Sequence, residues 1–263
     1  MTRTRIVAST VVAVLVTCSI PLVGSAAGAT VTAARPSKSK SKSTAPSWTA
    51  SPIDPAHVIA VSKFRSCSGH DFSPGEVIPG KPAPPGKSGL ESARSMKHYL
   101  QVDVSSTPAN QLPVFAPMAG KVRLETEDTP IGKQVWIAAK GWNARIFHVD
   151  PTVQDGQQVK AGQQIGTIAP ADAAKFFSGK VPGKETMPYE FDVALTNDAG
   201  DQYLSMFDVM DAATAAKWAA RGYTAQNAIV SKADRNATPC TLQPNSDYFV
   251  QQNDDSADWV RAA

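Results

Sequence analysis

The chain has 263 residues, with 26 basic side chains against 23 acidic ones and a formal charge of +3. That balance lacks the basic excess by which a nucleic-acid binder neutralises phosphates. The length suffices for one domain with a substantial core, alone or with an extension.

In chain order, Arg3 and Arg5 precede an apolar run that ends in the small residues Ala27, Gly28 and Ala29. This is the pattern of a bacterial-type secretory signal peptide over 1–29, cut after Ala29. Thr17, Cys18, Ser19 and Pro21 interrupt the run, and a polar segment follows it, which argues against a membrane anchor. No membrane span is expected after cleavage. Lipoprotein anchoring at Cys18 is the weaker alternative, because Thr17 is a poor residue before the bond to be cut. Loss of Arg3 and Arg5 leaves a nearly neutral mature chain.

Residues 30–53 are rich in Ser, Lys, Thr and Pro and offer little to bury, which predicts a disordered linker. Export leaves Cys67 and Cys240 as an even pair in an oxidising compartment, so a Cys67–Cys240 disulfide is expected. Residues 54–93 read as an N-terminal loop segment, extended and Pro/Gly-rich from 73 onward. Short β-type runs follow over 94–197: HYLQVDV, LPVFAPMAGKVRLET, KQVWIAAK, ARIFHV, QQVKAGQQIGTIA and MPYEFDVAL. Many short strands in sequence predict a mainly β, antiparallel sheet unit. Past the turn at Asn197–Gly200 the texture changes. DAATAAKWAARG predicts helix with Asp211 as N-cap and Gly222 as stop, so 198–263 is expected to be a small helical C-terminal extension with two short helices and an irregular tail. The acidic residues Asp254, Asp255 and Asp258 in that tail read as solvated.

Taken together, LPVFAPMAGKV, KQVWIAAKG, ARIFHVDPTVQDGQQVKAGQQIGTI and YEFDVAL resemble the lysostaphin or LytM-type zinc endopeptidases that cut peptidoglycan cross-links. The biotinyl or lipoyl hammerhead shares some of these phrases, but about 35 residues intervene where that fold needs a short turn carrying its modified lysine. The resemblance covers about 94–197 and implies a LytM, or duplicated-hybrid-motif, β fold. It also implies a zinc site built from H-x-x-x-D and H-x-H strands, with a further histidine from a Y-A-H-L strand.

Residue by residue, the carry-over is incomplete. Asp103 stands at the metal-binding aspartate, but Tyr99 stands where that motif has its histidine. His98 is one residue off and faces the other side of a regular strand unless a bulge returns it. His148 matches the Y-A-H-L histidine, a catalytic position. Glu190 replaces the third ligand, and Pro188 replaces the catalytic histidine. The metal candidates are therefore Asp103, Glu190 and His98, a set poor in imidazole and poorly suited to zinc. His70 in SCSGHDFS is a further candidate to reach the cleft, or else part of a polar turn. Trp136 and Trp142 can stack on sugars or fill the core.

These residues predict a secreted, envelope-associated protein whose LytM-like domain is catalytically degenerate and binds or regulates at the peptidoglycan or another envelope component. No cofactor is expected, with zinc only if the site is rearranged. The alternatives are an active metallo-endopeptidase with such a rearranged site, and a scaffold without a ligand of its own.

Overall fold

Alternation of apolar and polar residues between turn signals produces strands, and the computed structural model pairs them antiparallel throughout. It describes residues 44–74, 91–126, 132–169, 189–251 and 257–263. The expected signal peptide, Cys18, Pro188, Asp254 and Asp255 lie outside these residues.

The strands are β1 (Val58–Ser62), β2 (His98–Val102), β3 (Pro113–Phe115), β4 (Gly120–Thr126), β5 (Lys133–Ala139) and β6 (Trp142–Pro151). They continue with β7 (Gln158–Val159), β8 (Gln164–Ile168), β9 (Tyr189–Asn197), β10 (Tyr203–Leu204) and β11 (Trp259–Arg261). The sheet runs in the order β11-β1-β2-β9-β6-β5-β4-β7, with β10 on β9 and β8 joining β3 to β6. The result is a mainly β, antiparallel fold with a small helical component. Long strand β6 pairs with β5 along one edge and divides the other, pairing through Trp142–Ile146 with β9 and through Val149–Pro151 with β8. Inward side chains of the strands, among them Leu100, Val122, Ile137, Ile146, Phe191 and Val193, form one core with Trp48, Trp218 and Tyr223.

Two boundaries differ from the sequence expectation. The linker expected through residue 53 is already packed at Trp48, which is fully buried and whose backbone N–H donates to the Val209 carbonyl at 2.8 Å. Burial of Trp48 and Ile53, with the backbone bonds from Trp48, Thr49 and Ala50, works against the ordering cost of this short stretch. The segment expected as loop from 54 contains β1, an interior strand between β11 and β2. Its sequence, Val-Ile-Ala-Val-Ser, is almost wholly buried and so carries no alternation to read.

Among its described residues the C-terminal extension holds four short helices rather than two: α1 (Met206–Val209), α2 (Ala212–Ala219), α3 (Ala225–Ala228) and α4 (Lys232–Ala237). Asp211 caps α2 by accepting from Thr214 N at 2.7 Å, and Gly222 follows its end at φ +87°. Cys67 and Cys240 are bonded. Asp258 is not a solvated residue: its carboxylate accepts from Cys67 N and from Arg235 Nη2, both at 2.8 Å, next to that disulfide.

Candidate functional site

The site is built on β2, β6 and β9. The β2–β9 register is unbroken and sets Tyr99 opposite Asp192, Gln101 opposite Glu190 and His98 opposite Val193. With no bulge, His98 stays on the face away from Tyr99 and is buried there. Its Nδ1–H donates to the Ser62 carbonyl and its Nε2 accepts from the Ser205 hydroxyl, both at 2.8 Å. Burial pushes its pKa down to about 4, so the ring is neutral.

His148 sits where β6 slips against β5: the register jumps between Lys133↔Val149 and Val135↔Ile146. Its φ of +61° is rare for a side-chain-bearing residue, and the bulge aims the ring at β9. There Nε2 lies 3.5 Å from Asp192 Oδ2. The same oxygen accepts from the Lys97 ammonium at 2.9 Å. Lys97 precedes β2 by one residue and shares the Tyr99 face. Its Nζ lies over three rings, 4.4 Å from the centroid of Phe147, 4.9 Å from Tyr99 and 5.1 Å from Phe72. Burial works to raise the Asp192 carboxyl, but Lys97 and His148 outweigh it and hold the group well below the usual carboxylate range.

A cover of N- and C-terminal chain lies over this pair. The Tyr99 hydroxyl accepts from His70 N at 3.3 Å, and Gly69 approaches it so closely that a Cβ there would lie 2.2 Å from the phenol oxygen. Burial, then Asp192, raises the phenol well above its ordinary value. His70 is lowered to about 3, by burial first and then by Lys97. Phe72 packs edge-on against Phe147 and Tyr203, while Phe249 N and Asp71 N bond to Gly69 O and Asp247 O across the cover. Side-chain exposure is 4% at Lys97, 2% at Asp192 and 8% at His148. A polymeric substrate has no access to these atoms in this conformation.

The structure places the sequence candidates unequally. His148 lies in the cluster, and Glu190, buried on β9, neighbours it two residues from Asp192. Asp103 lies past the end of β2 on the surface, where it accepts from Ser105 N at 2.8 Å, and bonds from Ser105 hold its carboxyl below the ordinary range. Among the described residues, no three His, Cys, Asp or Glu side chains come together in a way that could hold a metal ion. Trp136 stacks between the guanidinium groups of Arg123 and Arg145, and Trp142 is core. Lys97 was not among the sequence candidates. Its signal was a lysine two residues before Tyr99, on the same strand face.

Residues 101–183 match the family model described as Peptidase family M23, which supports a LytM-type domain over that stretch. Solved structures that align with the chain include the solution structure of lysostaphin, at 18% identity and TM-score 0.30, covering 40% of this chain and 38% of that one. A zinc-containing peptidase from Vibrio cholerae aligns at 19% identity and TM-score 0.35, covering 61% and 39%. A catalytic-domain mutant of the prophage-encoded M23 protein EnpA from Enterococcus faecalis aligns at 17% and 0.31, covering 55% and 94%. The chain thus spans about two fifths of the lysostaphin and Vibrio cholerae chains. No curated protein matches.

Proposed function

We propose that this protein is a non-catalytic M23-type module, exported by the 1–29 segment and held at the cell envelope, where it binds or regulates rather than hydrolyses. The observation that carries the reading is the buried Lys97–Asp192 ion pair beside His148, closed over by Gly69–Phe72. Catalytic zinc generally keeps three protein ligands and an open water position in reach of a substrate. The described donors do not fit that group: Asp103 is turned to the surface, His98 to the opposite face, and Asp192 is already bonded to a cation. Pro188 at the general-base position has no proton to move. No helix among the described residues is long and apolar enough to cross a membrane.

The test is incubation of the zinc-supplemented protein with purified walls and cross-bridge peptides, measuring released amines with and without chelator, and sedimentation of protein with the walls. The expected outcome is no chelator-sensitive release together with wall sedimentation that persists in chelator. Chelator-sensitive release abolished by Asp103→Ala would instead establish the endopeptidase with a rearranged site. Neither release nor sedimentation would leave the scaffold reading.

A further inference from the structure

We infer that the Lys97 ammonium is the resident cation of this domain, an internal substitute that occupies the centre of the cleft and makes it independent of metal. The inference deepens the non-catalytic reading and rests on it for the cleft's identity. Three observations carry it. First, the ammonium is not a surface charge that happens to be near an acid. It is 4% exposed and bonds at 2.9 Å to a carboxylate that is 2% exposed. Second, it lies among the positions that the sequence aligns with metal chemistry. Tyr99, at a ligand position, presents its ring at 4.9 Å, and His148, at a catalytic position, lies 3.5 Å from the oxygen that the ammonium holds. Third, the surroundings are built for a monovalent cation. Faces of Phe72, Tyr99 and Phe147 surround Nζ, giving quadrupole attraction without lone pairs that a transition metal could use.

Charge explains why ammonium and metal exclude each other here. The groups facing Lys97 from the packed elements include Asp192 on β9, His148 on β6, and His70 and Tyr248 from the cover, with Glu190 two residues from Asp192. Among the described residues Asp192 Oδ1 has no hydrogen-bond partner, and Lys97 and His148 supply the compensation for its carboxylate. A divalent ion brought to the same carboxylate would face the ammonium across the few ångströms of one oxygen, in a low-dielectric interior where like charges repel strongly. Removal of the ammonium leaves the buried carboxylate without its counter-charge and with only the His148 imidazole beside it, two donors where catalytic zinc takes three.

The test compares zinc stoichiometry and melting of the purified, disulfide-bonded protein with those of two variants. Wild type is expected to retain no zinc after loading and desalting, and its Tm is expected to be the same in zinc and in chelator. Lys97→Met should lower Tm by about 10 °C, as expected for a buried pair deprived of one partner. Lys97→Met/Asp192→Leu should regain most of that loss. One zinc per wild-type chain would overturn the inference, as would a Lys97→Met whose Tm equals that of wild type. If Lys97→Met does not fold, folding of the double variant supports the inference and its failure to fold overturns it. Zinc retained by wild type without wall cleavage would defeat the resident cation while leaving the non-catalytic reading intact.

Discussion

His98 shows how one residue's placement decides its chemistry. One position from Tyr99 on β2, it is turned into the core between the Ser62 carbonyl and the Ser205 hydroxyl, which fixes the neutral tautomer with its proton on Nδ1. Its pKa in the fold is about 4, below the ordinary 6.5, so between those values the unfolded chain binds the additional proton. The stabilisation that follows is fully present above pH 6.5 and is lost as pH falls toward 4. From the difference of two to three units the loss is roughly 3 kcal/mol. His70 acts with the same sign but is screened by solvent, since a quarter of its side chain is exposed. Urea unfolding between pH 7 and 4 should therefore show declining stability in wild type and a flatter profile in His98→Asn. An unchanged slope in the variant would assign the effect elsewhere. At this scale the site was only partly legible in the sequence. Motif alignment reached His148 and Glu190 because their strands keep the family's phrases. It did not reach Lys97, because a cation filling a cleft has no motif. It could not place Asp103, whose direction depends on β2 ending at Val102.

The strands themselves were legible wherever an open alternation or a turn signal marked them, as in KQVWIAAK for β5 and KAGQQIGTI for β8. β1 was not legible, because an interior strand buried on both faces reads as a featureless apolar run. The break in β6 at His148 was equally hidden, since a bulge depends on the partner strand's register. β8 illustrates what an element demands of its sequence. Gly166 faces Val114 on β3 and Pro151 on β6, and a Cβ there would lie 2.3 Å from the Asp150 carbonyl oxygen and 2.9 Å from Pro151 Cα. Both obstacles are backbone, so neither can rotate away. Gly166→Ala is expected to destabilise by about 3 kcal/mol through displacement of β8. Gly156→Ala meets only the Lys121 Cε at 3.7 Å and should cost roughly 1–2 kcal/mol, from its φ of +80° alone. Thermal unfolding of the two variants, side by side, checks the order. Equal losses would mean that β8 yields more easily than the packing implies.

Across the described residues, the segment around β1 and the segment around β11 build one side of the sheet together. β1 pairs with β11 through Val61↔Val260, and the cover over the cleft joins Gly69–Asp71 to Asp247–Phe249. The Cys67–Cys240 bond locks this union across a sequence separation of 173 residues. Around it, Arg235 donates from Nε to the Arg65 carbonyl and from Nη2 to Asp258, while Asp258 accepts from Cys67 N. These contacts do not require the sulfur–sulfur bond, so the reduced protein should keep the same fold. What changes is the unfolded chain, which gains the freedom that a closed loop of this length denies it. In the chain-entropy account that freedom is worth roughly 5 kcal/mol, an upper figure because real unfolded chains are not ideal coils. Reduction, or Cys67→Ser/Cys240→Ser, should lower the urea midpoint and raise the slope of stability against urea, since an uncrosslinked chain exposes more surface on unfolding. The far-UV circular dichroism before the transition should stay the same. A midpoint unmoved by reduction would mean that the bond constrains nothing the other contacts leave free. A changed spectrum before the transition would mean instead that the bond holds the cover, and with it the closed cleft, in place.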